Sequence, residues 1–181
     1  MYEVELKVRA DLETVRGRLA ELGADRVDAV RQRDTYYDAP HREFAETDEA
    51  LRIREETHDG EGTTRLTYKG PRIDETTKTR EEFETAAEDS DALEGILDGL
   101  GFSPAATVEK EREHYAIEGF TVTLDSVTDV GEFVEVEVDV ESEGEVDAAR
   151  EEAIALLKRL ELDPEASVRT SYLGLLLAGE S

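Results

Sequence analysis

Apolar side chains recur at helical spacing in four segments of the chain. In the first, Leu12, Val15 and Leu19 share a stripe that begins after Asp11, a typical N-cap residue, and ends at Gly23. A final helix is predicted to begin at the Asp163-Pro164 pair, which suits a helix cap and first turn. The four predicted helices cover about 11–22, 90–100, 145–161 and 163–178.

Between these helices, apolar and polar residues alternate with a period of two, which is typical of strands that bury one face. Turn sequences such as HDGEG at 58–62 and TDVG at 128–131 separate several of these segments. Because the strands are mostly adjacent in sequence, we expect an α+β fold with a largely antiparallel sheet. The eight predicted strands cover about 2–9, 29–38, 49–57, 63–70, 78–86, 104–117, 120–126 and 132–141.

Composition excludes several classes of function. The 181 residues include 47 acidic and 21 basic side chains, and the net charge of −26 would repel nucleic acid and anionic membranes. The absence of cysteine excludes thiol catalysis and disulfides, and no apolar run or signal-peptide segment suggests a membrane span or export. We therefore expect a soluble, cytoplasmic protein. The acid excess with only 5 Lys further predicts a halophilic source, since concentrated salt screens the self-repulsion of such a surface.

Cations gather on the polar faces of the predicted strands, which is unexpected on so acidic a surface. Alternation places Arg52 and Arg54, for example, on the face opposite Leu51 and Ile53. For a single strand, a solvated polar face is the simpler explanation. Together, however, the strands favour a polyanion held with metal ions. The cations on these faces are Lys7, Arg52, Arg54, Arg65, Lys69, Lys78, Arg80, Lys110 and Arg112.

Pairs of carboxylates on the strand faces could bind the metal ions of such a site. Glu3 and Glu5 share one face of the first predicted strand, and Glu135 and Glu137 share one face of the last. Mg²⁺ and Mn²⁺ take oxygen ligands from one or two carboxylates and from substrate phosphates. Arginine forks and lysine point charges neutralise the remaining phosphate oxygens. Eight strands closed on themselves would leave an interior just wide enough for such a ligand.

At these residues the sequence resembles the CYTH superfamily, the triphosphate tunnel metalloenzymes. The resemblance begins with ExExK, here EVELK (3–7), and stretches such as DTYYD, TDEALRIR and GEFVEVE are most similar to the class IV adenylate cyclase branch. It implies one CYTH domain over residues 1–181, folded as a closed or nearly closed antiparallel eight-stranded β-barrel, a tunnel, with flanking helices. The further matching segments, in order, are QRDTYYDAPHREFAETDEALRIR (32–54), LTYKGPRIDETTKTREEFE (66–84), VEKERE (108–113), TLDSVTDVGEFVEVEV (123–138) and SYLGLLL (171–177).

The resemblance also implies roles for individual residues, with Mg²⁺ or Mn²⁺ as the cofactor. Lys7, Lys110 and Arg112 would be catalytic. The metal ligands or their close supports would be Glu3, Glu5, Asp125, Glu135 and Glu137. The phosphates would be bound by Lys7, Arg52, Arg54, Lys69, Arg80, Lys110 and Arg112, with Lys78, Arg169 and Arg65 as secondary candidates.

Three functions are weighed from these residues. The first is conversion of ATP to cyclic AMP and pyrophosphate by a class IV adenylate cyclase. The second is hydrolysis of inorganic triphosphate, thiamine triphosphate or a nucleoside triphosphate by the same residues. The third is a non-catalytic triphosphate- or nucleotide-binding module, against which the intact carboxylate pairs count. A homodimer is left open.

Residues outside these motifs are given no role in the chemistry. We interpret His41 and His58 as surface residues in loops, while His114 shares the strand parity of Arg112. The C-terminal SYLGLLL segment is assigned to helix packing.

Overall fold

A computed structural model describes residues 2–72 and 80–179, apart from the side chains of Glu3, Arg72 and Arg80. Strands occupy about half of the described chain, in the segments where apolar and polar residues alternate. Their bounds are β1 Tyr2–Arg9, β2 Asp25–Asp38, β3 Ala50–His58, β4 Glu61–Arg72, β5 Arg80–Ala87, β6 Ser103–Ile117, β7 Phe120–Val127 and β8 Gly131–Val140.

The eight strands form one sheet in the order β1-β8-β7-β6-β2-β3-β4-β5. Successive hairpins such as β3–β4, β4–β5, β6–β7 and β7–β8 pair antiparallel, as do β1 and β8. The predicted α+β class and eight-stranded antiparallel sheet are therefore confirmed. The order ends at β1 on one side and at β5 on the other.

The helices begin where acidic residues can cap them. The Asp11 carboxylate accepts a hydrogen bond from the Glu13 N–H at 3.2 Å, and the Asp89 carboxylate accepts one from the Ala92 N–H at 3.0 Å. All described helices are too short or too polar to cross a lipid bilayer. Their bounds are α1 Leu12–Glu21, α2 Phe44–Thr47, α3 Ser90–Gly99, α4 Val146–Arg159 and α5 Tyr172–Gly179.

The predicted final helix over 163–178 is wrong in its first half. Asp163 does cap a turn, but that turn is a 3₁₀ helix of only three residues, Pro164–Ala166. Ser167 then forms an antiparallel bridge with Val8, and the Val168 N–H donates to the Lys7 carbonyl at 2.7 Å. This main-chain pairing with β1 replaces helical hydrogen bonds, so α5 begins only at Tyr172.

The residue contacts divide the chain into two compact units, called here unit 1 (Met1–Val30 with Lys110–Ser181) and unit 2 (Arg31–Glu109). In unit 1, α1 and α4 cover the apolar faces of β1, β7 and β8, so the polar faces of these strands point the other way. The buried core of unit 1 consists of Val8, Leu12, Val15, Leu19, Tyr115, Ile117, Phe120, Val122, Leu124, Val134, Val136, Ala153, Leu156, Leu157 and Leu160.

Unit 2 has a smaller core. Its buried members are Tyr37, Ile53 and Leu97, contributed by β2, β3 and α3. Leu51, Leu66, Leu93 and Phe102 pack against them and are partly exposed. The opposite faces of β2, β3 and β4 carry the polar residues of this unit.

Candidate functional site

Four strands of unit 1 present one continuous polar face, called here the unit 1 face. Strand register places residues side by side on it in rows that run across β6, β7, β8 and β1. This register, together with the period of two along each strand, brings residues from both ends of the chain together. The three central rows are Ala116–Thr121–Glu137–Glu5, His114–Thr123–Glu135–Lys7 and Arg112–Asp125–Phe133–Arg9.

Three carboxylates converge on this face. Glu5 lies directly opposite Glu137, and Glu135 follows on the same face of β8. Oxygen atoms of all three lie within 4.8 Å of one another, which is close enough to bind a metal ion. This carboxylate trio offers only oxygen ligands, the donor type that Mg²⁺, Mn²⁺ and Ca²⁺ prefer.

Glu135 is the buried member of the carboxylate trio, with 8% of its surface exposed. Burial raises the pKa of its carboxyl, Arg112 opposes that rise, and the neighbouring charges of Glu5 and Asp125 add to it. The crowding of negative charge in a buried place is therefore only partly compensated by the side chains described. A bound cation would relieve it.

Arg112 is held by two carboxylates at once. Its Nε and Nη2 donate to Asp125 Oδ1 and Oδ2 at 2.7 and 3.0 Å, and Nη2 also donates to Glu135 Oε2 at 2.8 Å. Burial opposes the charge of Arg112, but Asp125 and Glu135 outweigh it, so its pKa lies above the ordinary arginine value. Both oxygens of the fully buried Asp125 are thus engaged by Arg112. This places Asp125 beside the carboxylate trio, in the position of a close support.

Tyr172 is a site residue that the sequence analysis missed. Its hydroxyl lies 2.5 Å from Asp125 Oδ2 and 3.0 Å from Glu135 Oε1. Burial and the two carboxylates raise the pKa of Tyr172, so the hydroxyl keeps its proton and acts as a donor. The signal available in the sequence was a tyrosine at the start of an otherwise aliphatic helix.

Two predicted lysines flank the Tyr172 ring. Lys7 Nζ lies 4.2 Å from the ring centroid, and Lys110 Nζ lies 5.2 Å from it. Lys7 Nζ also donates to the Thr170 carbonyl at 2.8 Å, and Lys110 is buried at 8% exposure. Unit 1 therefore brings together Glu5, Lys7, Lys110, Arg112, Asp125, Glu135 and Glu137 of the predicted site.

Unit 2 carries its own polar face, called here the unit 2 face, on β2, β3 and β4. Register aligns Tyr36, Arg52 and Thr67 in one row. Asp34, Arg54 and Arg65 form the next row on the same face. The predicted phosphate-binding residues Arg52, Arg54 and Lys69 thus lie on one face of this unit, together with Arg65.

The cations of the unit 2 face are interleaved with carboxylates. Arg54 Nε and Nη2 donate to the two oxygens of the fully buried Asp34, both at 2.7 Å. Arg65 donates to Glu84 at 3.0 Å, and the Thr67 hydroxyl donates to the other oxygen of Glu84, also at 3.0 Å. Glu84 and Asp34 were not predicted, because a carboxylate beside an arginine on a neighbouring strand is visible only once the register is known.

Two buried polar atoms of unit 2 lack a hydrogen-bond partner in the described part of the chain. They are Arg52 Nε and Gln32 Oε1. The Gln32 amide nitrogen, in contrast, donates to Glu56 Oε2 at 2.6 Å. Arg52 is therefore the predicted phosphate-binding arginine of this unit with donor capacity left over.

Some predicted residues are described only in part. The main chain of Glu3 pairs with Asp139 and that of Arg80 with Arg72, but their side chains lie outside the described part. Lys78 lies outside the described residues altogether. Arg169 is exposed in the segment before α5.

Comparisons with known proteins agree on one family. The sequence profile of the CYTH domain matches residues 1–172. The chain is 39% identical over 176 residues to a Methanocaldococcus jannaschii protein named as a proposed adenylate cyclase, and the match covers 97% of this chain and 98% of that protein.

Solved structures share the fold over nearly the whole chain. A Pyrococcus horikoshii protein is 41% identical, with a TM-score of 0.83, and the match covers 98% of this chain and 99% of that one. A Hippeastrum protein, proposed as an adenylyl cyclase and described as having a dominant triphosphatase activity, is 18% identical. Its TM-score is 0.67 and the match covers 98% of this chain and 95% of that one. At that identity the likeness concerns the fold.

Proposed function

The chain belongs to the CYTH family, and we propose that it is a metal-dependent enzyme that converts ATP to cyclic AMP and pyrophosphate. The observation that carries this proposal is the carboxylate trio of Glu5, Glu135 and Glu137, whose oxygens lie within 4.8 Å of one another beside buried cations. The name of the Methanocaldococcus jannaschii relative supports the choice of reaction. One CYTH domain over residues 1–181 is part of the same proposal.

The carboxylate trio fits Mg²⁺ or Mn²⁺, because it offers oxygen ligands from three carboxylates, and burial together with the charges of Glu5 and Asp125 raises the pKa of its buried member, Glu135. Glu5, Glu135 and Glu137 would hold the ion, with Glu3 and Asp125 as the remaining predicted ligands or supports. When bound, such an ion polarises phosphoryl oxygens and lowers the pKa of a coordinated hydroxyl. Arg112 and Tyr172 keep Asp125 and Glu135 in place by hydrogen bonds.

The cations of this chain would bind the triphosphate. Lys7 and Lys110 stand beside the carboxylate trio, and their ammonium groups would stabilise charge on the departing pyrophosphate. Arg112 completes the proposed catalytic set. Arg52, Arg54, Lys69 and Arg80 of unit 2 are the other proposed phosphate-binding residues, and the buried Nε of Arg52 offers one donor for this purpose.

The second candidate is a triphosphatase, which would use the same carboxylates and cations with water as the nucleophile. One protein with this fold, from Hippeastrum, is described with a dominant triphosphatase activity. The two reactions differ in which phosphorus atom faces the nucleophile. A non-catalytic binding module remains the third candidate, and the intact carboxylate trio counts against it.

Product analysis tests the proposal. The purified chain in molar KCl with Mn²⁺ or Mg²⁺ is offered ATP and inorganic triphosphate separately, and the products are resolved by anion exchange. Cyclic AMP with equimolar pyrophosphate is the expected result. Orthophosphate without cyclic AMP would replace the cyclase by the triphosphatase, and no turnover of either compound would contradict both.

A matched pair of variants links turnover to the site. Glu135→Gln removes one charge from the carboxylate trio, and Glu132→Gln removes the same charge from an exposed position of β8. We expect Glu135→Gln to lose turnover by ~10²-fold or more, because it removes a metal ligand. The Glu132→Gln variant is expected to retain the turnover of the parent chain. Turnover that survives Glu135→Gln would rule out this site as the catalytic one.

A further inference from the structure

His114 and Asp28 form a side-chain pair on the unit 1 face that the proposed function does not yet use. His114 Nδ1 lies 2.5 Å from Asp28 Oδ1. The His114 side chain is 25% exposed and that of Asp28 is 31% exposed. The imidazole is therefore about three-quarters buried but still accessible to a ligand on that face.

The strand register places His114 in line with the carboxylate trio. His114 lies opposite Thr123, Thr123 lies opposite Glu135, and Glu135 lies opposite Lys7. With ~4.8 Å between neighbouring strands, the Cα atoms of His114 and Glu135 are about 10 Å apart on one face of the sheet. Along β6, Arg112 is the preceding residue on that face. A substrate that bridges the trio and Arg112 would lie within reach of the imidazole.

The Asp28 carboxylate decides which nitrogen of His114 carries the proton. A carboxylate can only accept, so the neutral imidazole donates its Nδ1–H to Asp28 and keeps the lone pair on Nε2. No hydrogen bond to Nε2 is present among the described residues. An imidazole that is oriented by a carboxylate and presents a free nitrogen to a site has the arrangement of a general base.

Resting on the proposed function, we propose that His114 accepts the proton of the attacking hydroxyl at Nε2 and that Asp28 is its positioning residue. The hydroxyl is the ribose 3′-OH in the cyclase reaction and water in the triphosphatase reaction. As the new O–P bond forms, the proton moves to Nε2. The bond between that phosphorus and the leaving phosphate oxygen breaks, and its electron pair stays on the leaving group. His114 then returns the proton to solvent.

Variants at His114 separate a base from a phosphate-binding cation. We expect His114→Ala to lower kcat by ~10²–10⁴-fold with little change in KM, and added imidazole to restore part of the loss. His114→Lys supplies a positive charge but no imidazole, so we expect it to be as slow as His114→Ala. Asp28→Asn is expected to lower kcat less and to leave Mn²⁺ affinity unchanged. His58→Gln is the control, since His58 also lies near an aspartate, at 3.7 Å from Asp59, but is exposed.

Three results would overturn the proposal. One is a kcat of His114→Ala close to that of the parent chain. The second is full activity of His114→Lys, which would assign His114 to phosphate binding. The third is a folded, slow His114→Ala variant that imidazole does not restore. If the parent chain turned over neither ATP nor inorganic triphosphate, the proposed function and this role would fall together, whereas a normal parent chain with an unaffected His114→Ala variant would overturn this role alone.

A second measurement does not depend on activity. The chain has only 3 histidines, so ¹⁵N NMR can assign the imidazole signals with His41→Asn and His58→Gln variants. We expect His114 to carry its neutral-state proton on Nδ1 in the parent chain, and the population of that form to fall in Asp28→Asn. A proton on Nε2 in the parent chain would overturn the proposal, because that nitrogen could not accept another.

Discussion

The two units place charge on strand faces by the same alternation, but they neutralise it differently. On the unit 1 face, one arginine, Arg112, serves two buried carboxylates, Asp125 and Glu135, beside further negative charge. On the unit 2 face, Arg54 donates from two nitrogens to a single buried carboxylate, Asp34. A bound cation would therefore relieve the carboxylate trio of unit 1, whereas Arg54 already gives Asp34 a bidentate partner.

The hydrophobic cores behind the two polar faces explain why unit 1 tolerates more buried charge than unit 2. Unit 1 backs its polar face with a large buried core from α1, α4 and four strands, while the core cluster described for unit 2 has three buried members. Crowded buried charge costs free energy, and hydrophobic burial is the main term that offsets such a cost. The comparison teaches that the unit with the larger core carries the more costly site.

The largest expected effect tests the shared arginine. Arg112→Met removes the partner of Asp125 and Glu135 together, so we expect the free energy of unfolding to fall by about 3–5 kcal/mol. Arg54→Met removes the bidentate donor of one carboxylate, Asp34, so we expect its loss to lie at the lower end of that range. Urea unfolding followed by circular dichroism measures both variants. A smaller loss for Arg112→Met than for Arg54→Met would contradict the comparison.

The second prediction tests the cores directly. Leu157 is fully buried in the core of unit 1, and we expect Leu157→Ala to cost about 3–5 kcal/mol because the surrounding side chains cannot fill the cavity. Leu97 of unit 2 has fewer buried neighbours, so Leu97→Ala is expected to cost nearer ~2 kcal/mol. Hydrogen exchange measured by mass spectrometry resolves peptides of the two units.

Leu177→Ala serves as the control for this pair, since that side chain is 49% exposed, and we expect a change within about 0.5 kcal/mol. Equal costs at Leu157 and Leu97 would mean that the two cores constrain their side chains equally well.

Most of the fold was predictable because it depends on a period of two. Strand parity alone placed Glu5, Glu135 and Glu137 on polar faces, and the structure brings their oxygens together. The start of α5 was not predictable in this way. A capping aspartate and proline look the same before a three-residue turn and before a long helix, and the main-chain bond from Val168 to Lys7 decides between them.

The sequence predicted which strand face carries each charged residue, but it did not predict which charged residues pair with one another. Asp125 was predicted as a metal ligand or support, but its bidentate pairing with Arg112 depends on the β6–β7 register, which alternation does not specify. Tyr172 reaches the site only because α5 begins after the segment that pairs with β1. Sequence patterns therefore identified the charged face, and the register determined which charges meet.

The third prediction tests how the Tyr172 hydroxyl stabilises the carboxylates of the unit 1 face. Tyr172→Phe keeps the ring between the two lysines but removes the donor to Asp125 and Glu135. We expect a loss of about 1–2 kcal/mol in the free energy of unfolding and a several-fold weaker Mn²⁺ affinity, because Glu135 keeps its hydrogen bond from Arg112 but loses the one from Tyr172. Urea unfolding and calorimetric titration with Mn²⁺ measure the two effects.

Tyr115→Phe is the matched control, since the buried Tyr115 hydroxyl donates to Glu113 at 3.1 Å, away from the carboxylate trio. It is expected to leave Mn²⁺ affinity unchanged. If both variants altered Mn²⁺ affinity alike, the effect of Tyr172 would be general rather than local to the site.

The smallest expected effect concerns the exposed ion pair of the unit 2 face. Arg65 and Glu84 meet at 3.0 Å, but their side chains are 52% and 33% exposed, so water screens the attraction. We expect Arg65→Met to change the free energy of unfolding by less than about 1 kcal/mol. This loss is well below the loss expected for Arg54→Met, although Arg54 lies directly opposite Arg65 on the adjacent strand. The comparison of these two arginines in urea unfolding tests the effect of burial, because Arg54 donates to the buried Asp34 and Arg65 donates to the exposed Glu84, each on a neighbouring strand. Equal losses would mean that exposure does not govern the strength of pairing on this face, and the contrast drawn between the two units would then lose its physical basis.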